Sequence, residues 1–289
     1  MKILVTGAVG KLGSAVSSCL LAHGHQIVAT DRRHQRDFPC RIELADLRDE
    51  LRVYSLVEGC DAVVHLGNHP NLFSGPSPQR VLADNVAMNA NVFRAAIDTG
   101  VKKLIFASSI QVMFPMHEGI RPEPPYEIAY LPFDGDFPAN PGTNFYGLSK
   151  ELGERLLALS VKRYPELSCT SLRFPVLAGE WWLRRMGVGK GRVSREVLSF
   201  GEGLAYLTLP DAAELVRAVL DRQGPGYHQY FPACSIQVRG YTAAALIQEF
   251  YPGVPLKRPL ADVDSLIDTT AITRAVGWAP THSVTVELE

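Results

Sequence analysis

Short apolar runs alternate with longer amphipathic segments along the first part of the chain. Each run is typical of a strand that is buried on both faces by flanking helices. The segments between the runs repeat apolar residues every three or four positions, as helices do. The predicted strands span residues 3–5, 26–30, 41–44, 61–67, 103–107 and 169–174. This alternation predicts an α/β fold with a doubly wound parallel sheet of the Rossmann type.

The regular alternation breaks after residue 175, which predicts a second and smaller part of the molecule. A Rossmann domain is expected over residues 1–175, with 205–232 returning to it. Residues 176–204 and 233–289 would then form a smaller C-terminal substrate-binding part. The stretch 115–141 holds seven of the 20 prolines, with aromatic residues between them. It is either a folded loop that shapes a substrate pocket or an irregular surface covering.

Three glycines follow the first predicted strand and precede the first predicted helix. They are Gly7, Gly10 and Gly13, and Lys11 and Leu12 lie between them. Without Cβ atoms the backbone can approach a pyrophosphate closely, and the helix N-terminus offers free N–H groups to it. The alternative is a tight turn after an edge strand. The surrounding strand, helix and second strand favour a dinucleotide-binding turn, with these five residues as candidate cofactor contacts.

An acidic residue ends the second predicted strand, where a carboxylate can accept hydrogen bonds from ribose hydroxyls. Asp31 at this position favours NAD, because a carboxylate repels the 2′-phosphate of NADP. Arg32 and Arg33 follow directly and offer a site for that phosphate, so NADP stays open. Asp46 and Leu47 lie just past the third strand, at the position expected to meet the adenine ring.

Three further candidate cofactor contacts come from later strand ends, where ligands bind in open α/β sheets. Leu66 and Gly67 end the fourth strand, and the glycine lets the backbone pass close to a cofactor. Phe174 ends the sixth strand. A long helix is predicted within residues 78–100, and it contains Asn85. Asparagine is unfavourable inside a helix, so this side chain is expected to be exposed or bonded to a specific group, such as the cofactor.

A tyrosine and a lysine are spaced four residues apart on one predicted helix. Tyr146 and Lys150 therefore share a helix face, and an ammonium one turn away is expected to lower the phenol pKa from near 10. Ser109 ends the fifth strand and is placed to bind a substrate oxygen. Gln111, two residues further along, is a candidate substrate contact. This set predicts proton transfer to or from a substrate hydroxyl or carbonyl.

Composition narrows the possible partners to small molecules. A net charge of −1 gives no electrostatic basis for binding nucleic acid or a membrane surface. No apolar run approaches the length of a membrane span, and the first strand leaves no room for a signal peptide. The five cysteines have no CxxC pair and the eight histidines show no ligand spacing. We therefore expect reduced thiols, no metal site and a cytoplasmic location.

An aromatic and basic segment follows residue 180. It contains Trp181, Trp182, Arg184 and Arg185. Its side chains form either a wall of the substrate site that meets an anion or a solvated surface arm.

Seven motifs along the chain resemble those of one enzyme family. They are TGAVGKLG at 6–13, VVHLG at 63–67, NVAMNANVFRAA at 85–96, SS at 108–109, YGLSK at 146–150, LRFPVLAG at 172–179 and VGWAP at 276–280. The family is the extended short-chain dehydrogenases/reductases, also called the NAD-dependent epimerase/dehydratase family. The resemblance implies that Tyr146 is the acid/base and that Lys150 lowers its pKa and binds the nicotinamide ribose. It also implies that Ser109 orients the substrate oxygen, and a homodimer is expected.

Departures from the family pattern narrow the expected chemistry. Family dehydratases place Asp-Glu directly after the active-site serine or threonine, whereas this chain has Ile110 and Gln111. Nucleotide-sugar epimerases usually carry an asparagine where this chain has Pro175. They also tend to have an arginine that is absent from residues 201–204. Dehydration is therefore not expected, and a nucleotide-sugar substrate is disfavoured.

Other details resemble the family's uronate dehydrogenases, which oxidise free sugar acids. The segments are HLG at 65–67, SS at 108–109 and Arg185-Met186, whose arginine would grip the substrate carboxylate. Residues 187–203 and 115–141 do not match these enzymes. The first interpretation is an NAD(P)-dependent oxidoreductase acting on a carbinol carbon of a sugar, a sugar acid or a similar molecule. The alternatives are an epimerase with tightly bound NAD and a dinucleotide-sensing protein without catalysis.

Overall fold

The computed structural model describes residues 1–114, 116–117, 121–122, 128–179, 192–193 and 204–288. Its strands, in chain order, are β1 (Lys2–Thr6), β2 (Gln26–Asp31), β3 (Ile42–Leu44), β4 (Ala62–His65), β5 (Lys103–Ser109), β6 (Met116–His117), β7 (Arg121–Pro122), β8 (Ser168–Phe174), β9 (Val176–Ala178), β10 (Arg192–Val193), β11 (Ala205–Thr208), β12 (Gly226–Tyr230), β13 (Cys234–Ser235), β14 (Gln237–Val238) and β15 (Thr285–Leu288). Its α-helices are α1 (Lys11–Ala22), α2 (Glu50–Val57), α3 (Pro78–Asp98), α4 (Phe145–Arg163), α5 (Leu209–Arg222), α6 (Ala243–Phe250) and α7 (Thr270–Val276). None of the helices in these ranges is long and apolar enough to cross a membrane.

Seven parallel strands form the central sheet in the order β12-β8-β5-β4-β1-β2-β3. The chain runs from β1 outward to β3, then returns to the other side of β1 and continues outward through β4. The sheet direction thus reverses between β1 and β4, and ligands of open α/β sheets bind at the carboxyl ends of such strands. The predicted doubly wound parallel sheet is confirmed.

Helices cover both faces of this sheet because its central strands are apolar on both sides. Ile3 and Val5 of β1 contribute to a core shared with α1 and α5, whereas Leu4 points into a core shared with α2, α3 and α4. Alternate residues of a strand face opposite ways, so β1 contributes to both layers. This packing holds α1 and α4 against the sheet with their N-termini near the carboxyl ends of the strands.

Helix α5 begins at Leu209 and is capped by Thr208, whose hydroxyl accepts a hydrogen bond from the Asp211 backbone N–H at 3.2 Å. Pro210 fits this first turn, where no backbone N–H is needed. The Asp211 carboxylate accepts a hydrogen bond from the Thr281 hydroxyl at 2.6 Å, so it joins α5 to the C-terminal segment.

The described end of the proline-rich stretch is folded into the protein. Leu131 and Phe133 are completely buried and form isolated bridges with Leu256 and Ile267 of the C-terminal part. Phe133 and Phe137 pack with each other at a ring-centroid distance of 5.2 Å. Residues 128–137 are therefore not an irregular surface covering, because their aromatic side chains belong to the core.

Candidate functional site

A cavity of about 890 Å³ opens at the carboxyl ends of the central strands. Its volume lies in the range of pockets that hold cofactors and small substrates. The sequence-predicted residues that line it are Gly7, Gly10, Lys11, Leu12, Gly13, Asp31, Arg32, Leu47, Leu66, Gly67, Ser109, Gln111, Tyr146, Lys150 and Phe174. The fold thus brings candidates from six strand ends and two helices into one cavity.

The glycine turn of residues 7–13 has no room for a side chain at Gly7 or Gly13. Gly7 has a φ of +66°, and a Cβ on it would lie 2.8 Å from the Cα of Gly67. A Cβ on Gly13 would lie 2.2 Å from the carbonyl oxygen of Gly7. Helix α1, which follows, has neither a side-chain cap nor an acidic residue in its first turn. Its N–H groups are suited to an anion such as a pyrophosphate.

A chain of hydrogen bonds behind the turn connects β1, β4 and α3. The Thr6 hydroxyl oxygen accepts from the backbone N–H groups of Leu66 at 3.1 Å and Gly67 at 3.0 Å. It therefore donates to Nδ1 of His65 at 2.8 Å, and the His65 Nε2–H donates to Oδ1 of Asn89 at 3.0 Å. Burial lowers the pKa of His65 to about 3, so its ring is neutral. This network holds the Leu66–Gly67 backbone close to the glycine turn.

Asp31 lies at the end of β2 with both carboxylate oxygens oriented by backbone groups. One oxygen accepts from the N–H of Val9 at 3.1 Å, and the other accepts from the N–H of Arg33 at 3.0 Å. Arg32 and Arg33 also line the cavity. Asp31 therefore lies beside Arg32 and Arg33 on one wall of the cavity, and these residues bear on the choice between NAD and NADP.

Two predicted cofactor contacts do not reach the described cavity wall. The Asp46 carboxylate binds the Arg48 guanidinium, with 2.5 Å between Oδ2 and Nη2, and this hydrogen bond lowers the Asp46 pKa to about 2. Asn85 is completely buried, where it accepts from the His69 N–H at 2.8 Å and donates to the Ser149 hydroxyl at 3.0 Å. Asn85 thus fixes the loop after β4 against α4, because a buried amide must satisfy its hydrogen bonds within the protein.

Helix α4 carries the candidate acid/base pair into the cavity. Asn144 caps this helix by accepting from the N–H groups of Tyr146 at 3.0 Å and Gly147 at 3.1 Å. One turn further along, the Lys150 ammonium donates to the Ala107 carbonyl at 2.7 Å and to Oδ1 of Asn68 at 2.7 Å. The lysine side chain is therefore held between β5 and the loop after β4.

The pKa values of the pair differ from the sequence-based expectation. Burial raises the pKa of Tyr146 to about 12, although a hydrogen bond with Ser109 opposes this change. Burial also lowers the pKa of Lys150 to about 7, opposed by the charge of Glu154. The expected lowering of the phenol pKa by Lys150 is not found, because the ammonium donates to Ala107 and Asn68 and lies 5.7 Å from the phenol ring centroid.

The turn after β5 brings Ser109 and Gln111 to the N-terminus of α4. The Gln111 backbone N–H donates to the Ser109 hydroxyl at 3.2 Å, and its Oε1 accepts from Nδ2 of Asn144 at 2.8 Å. The two backbones are so close that a Cβ on Gly147 would lie 2.4 Å from the Gln111 carbonyl oxygen. Both predicted substrate contacts are thus rigidly positioned beside Tyr146.

Other cavity residues were not singled out by the sequence analysis. They include Asn68, His69, Met88, Val176 and Leu177. Asn68 directly follows Leu66 and Gly67 at the end of β4. It could have been predicted in the same way, because ligands bind at the carboxyl ends of strands in open α/β sheets. The predicted arm with Trp181, Trp182 and Arg185 lies outside the described residues.

One group of potential metal ligands occurs in the part of the chain that the structure describes. Cys19, His23 and Glu214 lie where α1 meets α5. Burial and the Glu214 carboxylate raise the pKa of the Cys19 thiol to about 12. The thiol is therefore protonated at neutral pH and donates a hydrogen bond to the Glu214 carboxylate at 3.2 Å.

Comparison with known proteins gives matches over most of the chain. A family model described as the NAD dependent epimerase/dehydratase family matches residues 3–230. A uronate dehydrogenase of Pseudomonas syringae pv. tomato is 30% identical over 172 residues, which are 56% of this chain and 55% of that protein. The L-arabinose 1-dehydrogenase (NAD(P)(+)) of Haloferax volcanii is 32% identical over 157 residues, 54% of this chain and 59% of that protein. The chain thus aligns with little more than half the length of these relatives.

Solved structures with the same fold match nearly the whole chain. A UDP-glucose 4-epimerase from Bifidobacterium longum, in complex with NAD+ and UDP, superposes with a TM-score of 0.69 at 20% identity and covers 98% of this chain and 94% of its own. A uronate dehydrogenase from Agrobacterium tumefaciens superposes with a TM-score of 0.62 at 20% identity, covering 98% and 85%. At this identity the similarity establishes the shared fold.

Proposed function

The chain belongs to the NAD-dependent epimerase/dehydratase family, and on this premise we propose that it is an NAD-dependent oxidoreductase acting on a sugar or sugar acid. The observation that carries the proposal is the convergence of Ser109, Tyr146 and Lys150 on the cavity that also contains the glycine turn. A dinucleotide turn alone would suit a sensor protein. An acid/base pair beside it supplies what a hydride transfer also needs, which is a partner for the hydroxyl proton.

The cavity residues fit a dinucleotide. The glycine turn lets the backbone of the cavity wall pass close to a ligand, the N-terminus of α1 suits a pyrophosphate, and Asp31 offers oriented carboxylate oxygens to ribose hydroxyls. Bound NAD would accept the hydride. NAD is the proposed cofactor, and NADP remains the alternative because Arg32 and Arg33 line the same wall.

The protein's own residues would handle the proton. Ser109 hydrogen-bonds the substrate oxygen, and Tyr146 exchanges a proton with that oxygen directly or through Ser109. A phenol with a pKa of about 12 is protonated at neutral pH, so it is ready to donate a proton to a carbonyl. Acting as a base on an alcohol requires the phenolate, which burial disfavours and the hydrogen bond with Ser109 favours.

The proposed substrate is a free sugar or sugar acid. The uronate and arabinose dehydrogenases among the relatives support this class. So do Pro175, where nucleotide-sugar epimerases usually carry an asparagine, and the sequence of residues 201–204, which lacks the arginine that those enzymes tend to have. Arg185 is proposed to bind a substrate carboxylate. Residues 176–204 and 233–289 are proposed to form the substrate-binding part, with residues 1–175 and 205–232 forming the cofactor-binding part.

The competing function is an epimerase that oxidises and reduces the same carbon with retained NAD. We test this function as well because a UDP-glucose 4-epimerase has the same fold. Mass spectrometry of the purified protein would identify the bound dinucleotide, and absorbance of NADH would follow turnover with a panel of sugars and sugar acids. Steady NADH formation supports the oxidoreductase. Sugar interconversion without net NADH supports the epimerase, and failure to bind any dinucleotide contradicts both.

A homodimer is proposed to form through helix α4. Leu152, Leu156 and Leu159 lie at helical spacing on one face of α4, and each is 38–52% exposed. Such an apolar stripe is unfavourable in water and suits a second copy of the same surface. Light scattering would measure the mass, and Leu156→Glu should produce a monomer. A cytoplasmic location remains a prediction.

A further inference from the structure

Glu154 occupies the next turn of α4 after Lys150, on the same face of the helix. It is only 4% exposed. Its Oε1 accepts from the Ser108 hydroxyl at 2.5 Å and from Nε of Arg173 at 2.9 Å, and its Oε2 accepts from Nη2 of Arg173 at 2.8 Å. The carboxylate is thus fully engaged in a bidentate, buried ion pair with an added hydroxyl donor.

This one carboxylate joins three walls of the cavity. Ser108 immediately precedes Ser109 at the end of β5, and Arg173 immediately precedes Phe174 at the end of β8. Arg173 also donates from Nη1 to the Phe137 carbonyl at 2.5 Å, which holds the folded loop of residues 128–137. Movement of the Glu154 carboxylate would therefore displace the strand ends that carry a substrate contact and a cofactor contact.

The charges around Lys150 give Glu154 a second effect. The contacts of the Lys150 ammonium in the described part of the chain are uncharged, namely the oxygens of Asn68 and Ala107 and the Phe106 ring. Of the titratable groups on the elements packed around it, His65 on β4 and Tyr146 on α4 are neutral at pH 7. Other charged groups lie on these elements, such as Glu151 on α4 and Lys103 on β5, but the charge that acts on the Lys150 pKa is that of Glu154.

The ion pair does not need a stability role to explain its presence. Replacing a buried ion pair by well-packed apolar residues is often neutral or stabilising, so orientation and local charge are what it supplies. The carboxylate opposes the effect of burial on Lys150 by raising its pKa. The Arg173 guanidinium, which is paired with this carboxylate, carries the opposite charge. Removing either partner would therefore change the electrostatic potential at the ammonium.

We propose that Glu154 is a positioning residue of this site, which holds the ends of β5 and β8 in register with α4 and whose negative charge favours the protonated form of Lys150. The proposal rests on the proposed function for its catalytic meaning. Its electrostatic part concerns Lys150 alone and can be measured without a substrate.

The test is the titration of Lys150, followed by NMR of lysine-labelled protein and assigned by the signal that Lys150→Met removes. Glu154→Gln should lower the Lys150 pKa by about one pH unit, because it removes the opposing charge. Arg173→Gln should raise it, because it leaves Glu154 without its cation. General loosening of the fold would move both variants in the same direction, toward the ordinary lysine pKa.

Matched controls separate charge from geometry. Glu151→Gln removes the same charge from the neighbouring position on α4 and should leave Lys150 unchanged. Glu154→Asp keeps the carboxylate and should leave the Lys150 pKa close to its value in the parent protein. Its shorter side chain should lower kcat/KM, because the ends of β5 and β8 are displaced. If Glu154→Gln does not fold, Glu154→Asp decides the matter, because a Lys150 pKa that moves toward the ordinary lysine value in this variant would indicate loosening of the fold and overturn the proposal.

An unchanged Lys150 pKa in Glu154→Gln, or a lowered one in Arg173→Gln, would overturn the proposal. If the titrations follow the expected directions but no sugar is oxidised, the proposed function is wrong, whereas the effect of the Glu154 charge on Lys150 is supported. If sugars are oxidised but the titrations do not move, Glu154 is a structural residue only.

Discussion

The Nζ atom of Lys150 lies 2.7 Å from the Oδ1 atom of Asn68 and thereby joins α4 to the loop that follows β4. This loop begins at Leu66 and Gly67, whose N–H groups bind Thr6 beside the glycine turn. The candidate proton-transfer pair and the candidate cofactor site are thus linked through one short segment. A substitution of Lys150 is therefore expected to alter cofactor binding, and a substitution at the cofactor site is expected to alter proton transfer.

Tyr146→Phe should lower kcat by roughly 10²–10⁴-fold, the loss typical of a missing general acid/base. NAD affinity should change little, because the ring remains and only the hydroxyl is lost. Turnover would be followed by NADH absorbance and binding by calorimetry. Tyr54→Phe is the matched control, since its hydroxyl bonds Asp98 away from the described cavity wall. A Tyr146→Phe enzyme with most of its activity would exclude this residue as the acid/base.

Lys150 makes the stability of the protein depend on pH. Its pKa falls from 10.5 to about 7 on burial, so between these values the unfolded chain binds the proton more tightly than the folded one. This group therefore increases the free energy of unfolding as pH rises, by about 2 kcal/mol between pH 7 and 9. Urea denaturation at both pH values should show this rise in the parent protein and not in Lys150→Met. Equal pH dependence in the two proteins would contradict the lowered pKa.

Gly13→Ala should destabilise the protein by about 1–3 kcal/mol and weaken dinucleotide binding. The added Cβ would lie 2.2 Å from the Gly7 carbonyl oxygen, so the backbone of the turn must move. Gly179→Ala is the control, because nothing lies within 4 Å of a Cβ there. Thermal unfolding and calorimetric titration with NAD would measure both effects. Normal NAD affinity in Gly13→Ala would place the dinucleotide away from this turn.

Asp31 should make NAD bind more tightly than NADP, since its carboxylate repels a 2′-phosphate. Asp31→Ser should narrow the difference between the two affinities. The same substitution removes the acceptor for the Val9 N–H, so binding of NAD itself should also weaken. Calorimetric titration with each dinucleotide is the measurement. Tighter NADP binding by the unmodified protein would show that Arg32 or Arg33 governs the site.

Arg185→Ala should reduce kcat/KM for an acidic sugar if the substrate carboxylate pairs with this guanidinium. The loss corresponds to a few kcal/mol of transition-state stabilisation and should come mainly from a higher KM. Neutral sugars should be affected far less. Arg184→Ala provides the comparison at the neighbouring position. Equal losses on acidic and neutral substrates, or none on either, would show that Arg185 does not recognise the carboxylate.

Local sequence patterns were sufficient to predict the layered fold and half of the residues that line the cavity. The apolar run of β1, the three glycines after it and the four-residue spacing of Tyr146 and Lys150 each act over a few residues. Strand burial, close backbone approach and a shared helix face follow from such short-range relationships. Because parallel strands end at one edge of the sheet, Ser109 and Phe174 could also be assigned to the site.

Contacts between distant segments determined the rest. Asp46 and Asn85 had plausible positions for cofactor contacts, yet Arg48 and the His69 backbone engage their side chains instead. The Tyr146 and Lys150 pKa values depend on burial and on hydrogen bonds from other elements. The pairing of Glu154 with Arg173 joins a helix to a strand 19 residues away. Desolvation and long-range partner choice arise only when the chain is packed, so residue spacing does not reveal them.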